Sequence, residues 1–196
     1  QPDLENFVGI HNRKYCDGGQ CIRLYKTFMK KKDPEAANIV MGHNEEDLLG
    51  LGTIFSLLAY KKLYDGEYHP KQCVILEQEL KIVIELSAAA PVNVSCGNSD
   101  FYLSVNGYEA RMLVHLKEGK LRQYYRNYKD YEFIPGEDTA MPKSITRYMD
   151  KSLKIATTPQ TCYTWFNCDE DFLNNEKKQM QYLTHTLPFF LDNLNK

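Results

Sequence analysis

Near Asp65-Gly66 the spacing of apolar residues changes from a helical period to a strand period. Before this point, residues 20–31 carry apolar side chains at intervals of three and four, which is typical of an amphipathic helix. After it, residues 73–86 alternate and are rich in β-branched side chains, which is typical of a strand or a hairpin. We therefore predict an α+β protein with a helical region at residues 1–64 and an antiparallel β-sheet region closed by C-terminal helices at residues 65–196.

The overall composition excludes several classes of protein. The chain has 196 residues, with 24 Lys and Arg against 26 Asp and Glu, so contact with nucleic acid would have to use a local patch. No apolar run approaches the roughly 18 residues that a membrane-spanning helix needs, and the start at Gln1 shows no charged and then apolar leader of a secretory signal. The balanced charge gives no indication of a polybasic surface, so we expect no membrane binding. The six cysteines lack the spacing of a zinc site, which favours reduced thiols in a cytoplasmic protein.

Helix start and stop signals are clear in the first region. The turn Asp17-Gly18-Gly19 precedes one helix, and Lys30-Lys31-Lys32 closes it with the cations that a helix C-terminus favours. Asp33-Pro34-Glu35 then has the order of an N-cap, a first helical residue and a first-turn acid. The second helix is therefore predicted to begin at about Pro34 and to run toward Gly50 and beyond.

The β-rich region is predicted to be an antiparallel meander. Its strands are expected at residues 92–95, 101–105, 110–116, 121–128 and 131–134, after the segment at 73–86. Asn106-Gly107 and Lys117-Glu118-Gly119-Lys120 are predicted hairpin turns, because Asn and Gly accept positive φ angles. A short helix from after Pro142 to about Lys154, a strand at 161–165 and a segment at 169–193 that is mostly helical until Pro188 follow. The last helix is predicted to pack through the apolar side chains Leu183, Leu187, Phe190 and Leu191, and Pro188 should kink or end it.

The most specific local pattern is Gly42-His43-Asn44-Glu45-Glu46-Asp47, within the predicted second helix. A spacing of four residues places His43 and Asp47 on the same helix face. A histidine and a carboxylate so placed can hold a divalent metal and position its water, or the histidine can act as a base. The alternative is a structural His-Asp pair, or a histidine that is hydrogen-bonded in the core.

Several sequence blocks, in order and spacing, resemble one family. They are Leu4-Glu5-Asn6-Phe7-Val8-Gly9-Ile10, Gly18-Gly19, Leu24-Tyr25-Lys26-Thr27-Phe28 and the segment from Gly42 to Leu51. Together they resemble the last third of the RNase H-like domain, of the DEDD 3′-5′ exonuclease type, in proteins of Firmicutes. The resemblance covers about residues 4–64, and it implies a helical C-terminal part of an RNase H-like domain.

This resemblance implies a metal-dependent exonuclease that acts on nucleic-acid phosphodiesters. DEDD exonucleases hold two Mg²⁺ ions with four carboxylates, so Mg²⁺ or Mn²⁺ is the implied cofactor. By that resemblance Asp47 would be the last metal ligand, and His43 would be the catalytic group that orients the attacking water.

The other carboxylates of such a site are not evident in the sequence. The family supplies them from an Asp-x-Glu on a first strand and from a later Asp, but the acidic residues before Asp47 lie on predicted loops or helix ends. Asp3-Leu4-Glu5 has the letters of the motif without an apolar strand around it. We expect either that an N-terminal half is missing from this sequence or that the protein is a remnant that no longer cuts.

The resemblance continues more weakly into the second region. The blocks Asp100-Phe101-Tyr102-Leu103, Asn127-Tyr128-Lys129-Asp130-Tyr131, Pro135-Gly136-Glu137-Asp138-Thr139-Ala140 and Thr161-Cys162-Tyr163 carry it. They resemble a β-rich C-terminal extension found after the nuclease domain in clostridial members.

A second functional pattern lies within this region, at the predicted strand 121–128. On a regular strand Arg122, Tyr124, Arg126 and Tyr128 would line one face. Alternating guanidinium and phenol groups suit single-stranded nucleic acid, whose phosphates they neutralise and whose bases they stack on. A non-catalytic module that binds nucleic acid or a protein partner is therefore the alternative function, and a merely solubilising edge strand is the structural alternative.

Overall fold

The structure is a computed structural model that describes residues 2–11, 14–15 and 17–194. It divides into two compact units, one formed by Gln1–Leu58 with Ala90–Val92 and the other by Ala59–Ala89 with Asn93–Lys196. Helices come first and last in the chain, with antiparallel strands between them, which confirms the predicted α+β class. Among the helices of the described ranges, none is long and apolar enough to span a membrane.

Three helices make up most of the first unit: α1 (Pro2–Phe7), α2 (Gly18–Lys31) and α3 (Pro34–Phe55). The Asp17 carboxylate caps α2 by accepting a hydrogen bond from the backbone N–H of Gln20. Asp33 caps α3 in the same way through the N–H of Glu35, so the predicted start of α3 is confirmed. Helices α2 and α3 pack against each other.

The first sheet consists of β1 (Tyr68–Leu76), β2 (Glu79–Gly97) and β3 (Phe101–His115), and it follows α4 (Leu58–Asp65). Strands β1 and β2 pair antiparallel, so the segment at 73–86 forms a hairpin rather than one long strand. The separate strand predicted at 92–95 is wrong, because β2 continues through it. Burial on every second residue from Leu80 to Leu86 is the pattern of a strand with one face in the core.

The hairpin turn predicted at Asn106-Gly107 is also wrong, because β3 runs through it without interruption. Gly107 adopts a φ of +55°, and the buried positions shift there from odd to even residue numbers. One extra residue in a strand has this effect, so the positive φ that the sequence signals serves a β-bulge instead of a turn. The buried residues are Phe101, Leu103 and Val105 before the bulge, and Ala110, Met112 and Val114 after it.

The second predicted hairpin turn is confirmed. The backbone groups of Lys117 and Lys120 exchange hydrogen bonds of 3.1 and 3.0 Å, and Glu118 and Gly119 have φ angles of +52° and +73°. The turn leads into β4 (Lys120–Tyr124), which pairs antiparallel with β8 (Tyr163–Asn167) in a second sheet. Strand β4 is therefore shorter than the strand predicted at 121–128.

A third sheet has the order β6 (Thr139–Pro142), β5 (Tyr131–Ile134) and β7 (Ile155–Ala156). The predicted strand at 131–134 is confirmed, whereas the single meander is replaced by three small sheets. The predicted helix at 142–154 forms only α5 (Lys143–Thr146) and a 3₁₀ turn at Lys151–Leu153. Glu132 of β5 contacts both ends of this segment: its carboxylate accepts a hydrogen bond from Thr146 and forms an ion pair with Lys154.

The C-terminal segment forms α6 (Glu170–Leu173) and α7 (Glu176–Asp192). Pro188 lies inside α7, and the helix continues past it to Asp192. Of the two effects predicted for Pro188, an end of the helix is therefore wrong, and a kink stays a prediction. Helix α7 packs against β1 and β4. Its side chains Tyr182, Leu183 and Leu187 are fully buried in the core of the second unit.

The described cysteines are thiols, and Cys16 lies outside the described residues. Burial raises the pKa of Cys162 and of Cys168 to about 11, so both thiols are protonated at neutral pH.

Candidate functional site

The predicted pairing of His43 with Asp47 is present in the first unit. Both side chains lie on α3, one turn apart, with 3.4 Å between His43 Nε2 and Asp47 Oδ2. The His43 side chain is 11% exposed and that of Asp47 is 41% exposed, so the pair runs from the interior to the surface. A metal site and a structural ion pair share this geometry, and the contact alone does not separate them.

The second ring nitrogen of His43 is a buried polar atom. Among the residues that the structure describes, Nδ1 has no hydrogen-bond partner, a condition that the core hydroxyls of Tyr182 and Thr186 share. Because Nε2 faces a carboxylate, a neutral ring carries its proton on Nε2 and leaves the Nδ1 lone pair unsatisfied. Leaving a buried polar group unsatisfied costs about 1–3 kcal/mol, and such groups often serve a function.

Glu46 has a different role from Asp47, although both lie near the end of the same sequence block. Its carboxylate accepts hydrogen bonds from the backbone N–H groups of Lys14, at 2.9 Å, and Tyr15, at 3.2 Å. The Tyr15 ring lies directly on Gly42, where an added Cβ would be 2.3 Å from Tyr15 Cζ. Glu46 therefore fastens the segment at residues 14–15 to α3.

Sequence reasoning did not identify Tyr15 and Glu46 as partners. The available signal was Gly42, because a glycine in a helix interior lowers helix stability and is kept where another group approaches closely. The sequence does not say which group approaches, since Tyr15 is separated from Gly42 by the whole of α2.

The described residues do not fit a two-ion metal site by themselves. Across residues 2–11, 14–15 and 17–194, the structure gathers no group of three or more His, Cys, Asp and Glu side chains that could hold a metal ion. Two bound ions need several carboxylate ligands. Asp47, with a partly exposed carboxylate, is a candidate for one such ligand, whereas the Glu46 carboxylate accepts hydrogen bonds from the backbone.

In the second unit, the structure does not bring the four predicted nucleic-acid-binding residues onto one face. Arg122 and Tyr124 lie on β4, which ends at Tyr124. Arg126 follows the strand and is exposed, and Tyr128 begins a 3₁₀ turn. The prediction of a regular strand over these residues is wrong, because the ladder between β4 and β8 ends where Tyr124 meets Tyr163.

Tyr124 and Arg126 also face different surroundings. The Tyr124 side chain is buried, and its ring stacks on Phe189 with 3.7 Å between ring centroids. The guanidinium of Arg126 lies 4.9 Å from the centroid of the Tyr64 ring. Tyr124 is therefore part of the core, and its ring cannot serve as an open stacking platform along a stripe with Arg126.

Arg122 lies instead in a cluster of rings that the strand pairing assembles. In the ladder of β4 and β8, Arg122 is opposite Trp165. Its guanidinium carbon is 4.6 Å from the ring centroids of both Trp165 and Tyr163, which is cation–π distance. This arrangement orients Arg122 although its guanidinium donates no direct hydrogen bond to the Asp138 carboxylate, since Nη2 is 4.0 Å from Asp138 Oδ2.

Asp138 organises this cluster. Its carboxylate accepts hydrogen bonds from the Tyr163 hydroxyl, at 2.5 Å, and from Trp165 Nε1, at 3.2 Å, and its backbone oxygen accepts a second bond from Nε1. Burial, together with the bond to Asp138, raises the pKa of Tyr163 to about 12. The sequence assigns no partner to Trp165, because Asp138 lies on a turn 27 residues away.

Comparison with known proteins adds one finding. Residues 2–59 match a family model of the RNase H superfamily. The match includes His43 and Asp47, and it ends before β1. No curated protein and no solved structure gives a significant match. The match supports an RNase H-like, nuclease-like fold for residues 2–59.

Proposed function

We propose that this protein is a metal-dependent 3′-5′ exonuclease-like protein that hydrolyses nucleic-acid phosphodiesters. The observation that carries the proposal is the His43–Asp47 pair on α3, within the segment that matches the RNase H superfamily. Asp47 keeps its carboxylate partly exposed while His43 is held beneath it. That is the arrangement expected of a ligand and the group that orients it.

The proposal assigns Asp47 as a ligand of Mg²⁺ or Mn²⁺, which would supply the charge that phosphodiester hydrolysis needs. It requires further carboxylates beside Asp47. His43 would orient the attacking water at this centre. Its ring nitrogen Nδ1, which has no partner among the described residues, is the atom that would do so.

The test is the substitution Asp47→Asn in the full-length gene product. Removing one carboxylate charge from a metal site weakens ion binding, so release of nucleotides from a 3′-labelled single strand should fall by about 10- to 100-fold. The measurement compares the wild-type protein and the variant in Mg²⁺, in Mn²⁺ and in excess chelator.

Glu45→Gln is the matched control, because Glu45 is an exposed acid on the same helix turn. Its nucleotide release should equal that of the wild type. Unchanged turnover in Asp47→Asn, or turnover that resists the chelator, would sink the assignment.

A further inference from the structure

A cleft of about 340 Å³ opens in the second unit beside the Arg122 cluster. Strand β4, the end of β3 and helix α7 contribute its walls. Lys117, Lys120 and Arg122 line it with cationic groups, and Tyr124, Trp165 and Phe190 line it with aromatic rings. Its volume falls at the lower end of the range of roughly 300–1,000 Å³ that is typical of small-ligand sites.

The cations of this cleft are only partly neutralised by the protein. Within the described part of the chain, neither Lys117 nor Lys120 forms an ion pair. Arg122 is at the limit of ion-pair distance from Asp138, whose carboxylate is already bonded to Tyr163 and Trp165. Asp100 is the carboxylate on the lining. The cleft therefore carries an excess of positive charge, although the chain as a whole is slightly acidic.

A second cavity, of about 350 Å³, shares Lys117, Lys120 and Trp165 with the cleft. Its remaining lining includes Glu118, Glu137 and Asp138, so acidic groups outnumber the cations there. An anion would be repelled from that side. Of the two cavities, the one lined by Arg122 is the one whose charge suits an anionic ligand.

The aromatic wall is held in place before any ligand binds. Trp165 Nε1 donates to both the backbone oxygen and the carboxylate of Asp138, which prevents rotation of the indole. The Lys117 ammonium lies 5.4 Å from the centroid of the Trp165 indole, which is within cation–π distance. Rigid side chains of this kind lower the entropy that binding costs.

We propose that this cleft binds one nucleotide unit, with its phosphate at Lys117, Lys120 and Arg122 and its base against the half-buried Trp165 ring. Tyr124 and Phe190 are buried, so they form the apolar floor of the cleft and do not stack on the base. Lysine and arginine are the usual partners of phosphate, and bases stack on aromatic side chains in a way that tolerates different sequences. The nucleotide is either a free nucleoside monophosphate or one unit of a single strand, since both present the same chemistry. This inference does not rest on the proposed nuclease activity, because the cleft lies outside residues 2–59.

The test uses the fluorescence of Trp165, which is the single tryptophan of the 196-residue chain. The chain is excited at the red edge of indole absorption and titrated separately with AMP, adenosine, inorganic phosphate and a single-stranded oligonucleotide. We expect a saturable change with AMP or with the oligonucleotide, and weaker binding of adenosine and of inorganic phosphate. Tighter binding of the oligonucleotide identifies a strand as the ligand, and equal or tighter binding of AMP identifies a free nucleotide.

The double variant Lys117→Gln, Lys120→Gln should weaken this binding about tenfold or more, because it removes two charge-assisted contacts. Lys177→Gln, at an exposed position of α7, is the matched control and should bind as the wild type does. The thermal unfolding midpoint of each variant verifies that the fold is retained. The proposal is overturned if neither AMP nor the oligonucleotide changes the fluorescence, if the double variant binds as the wild type does, or if adenosine or phosphate alone binds as tightly as AMP.

Discussion

Gly42 and Gly52 occupy the same helix in opposite surroundings. Gly42 is buried beneath the Tyr15 ring, whereas a Cβ on Gly52 would have no described residue outside its own stretch of helix within 4 Å. Glycine lowers the stability of a helix interior wherever it occurs. Of these two glycines, Gly42 is the one whose contact leaves no room for a side chain. The same residue type therefore has a structural reason at one position and none at the other.

Substituting the two glycines by alanine should separate these roles. Gly52→Ala should raise the free energy of unfolding of the first unit by about 0.5–1 kcal/mol, because it adds helix propensity in open space. Gly42→Ala should displace the Tyr15 ring and so speed hydrogen exchange at the Lys14 and Tyr15 amides, which Glu46 otherwise holds. Urea unfolding and amide exchange are the measurements, and equal exchange in the two variants would contradict the contact.

The turn between β3 and β4 contains a non-glycine residue, Glu118, with a positive φ angle. A two-residue hairpin turn with positive φ at both positions favours Asn-Gly, yet Glu118 precedes Gly119 in this chain. A glutamate backbone disfavours the left-handed region of φ and ψ, because the Cβ then lies too close to the following carbonyl oxygen. The pairing of β4 with β8 and the packing of α7 hold the turn in spite of that preference.

Glu118→Asn should therefore stabilise the second unit. The expected gain is about 0.5–1 kcal/mol in the free energy of unfolding, since asparagine tolerates positive φ better than glutamate. Chemical denaturation measures it, and Glu118→Gln is the control, because it removes the same charge without the conformational preference. The interpretation fails if the two variants are equally stable.

The large apolar side chains named here are exposed on α3 and buried on α7. The buried residues of α3 are Ala36, Gly42, His43 and Gly50, whereas its large apolar side chains Met41, Leu48, Leu49 and Phe55 are exposed. In α7 the large side chains Leu183, Leu187 and Phe190 are buried, as the spacing predicts. Helical spacing identifies an apolar face, but it does not state whether that face is covered.

For the molecule as a whole, His185 is expected to link stability to pH. It is half-buried in the second unit beside the Tyr125 ring, with 5.5 Å between centroids. Burial and the nearby Arg126 charge lower the pKa of His185 below its ordinary value. Between the ordinary pKa, about 6.5, and the lowered folded value, the unfolded chain binds the proton more readily than the folded chain does.

The stability that neutral His185 contributes is therefore present above about pH 6.5 and is lost as the pH falls through the lowered folded pKa. His185→Phe should lose less stability than the wild type between pH 7.5 and pH 5.5, because phenylalanine cannot take up a proton. Urea midpoints at both pH values provide the measurement. His69→Gln, which removes an exposed histidine of the same unit, is the control, and parallel losses in the wild type and His185→Phe would refute the linkage.

Local features of the sequence determined a substantial part of this protein. Helix starts at Asp33-Pro34, the turn at 117–120, the strand at 131–134 and the buried face of α7 depend on neighbouring residues, so the printed order of amino acids is enough to predict them. The four-residue spacing of His43 and Asp47 is local in the same sense. Their contact follows from the helix itself.

Tertiary structure decided the features that depend on contacts between segments far apart in the sequence. The positive φ at Gly107 can serve a turn or a bulge, and only pairing with a neighbouring strand selects the bulge. Strand β4 ends at Tyr124 because its partner, β8, begins at Tyr163. For the same reason, the cluster of Arg122, Trp165 and Asp138 exists only after two strands and a turn meet, and no spacing along the chain encodes their approach.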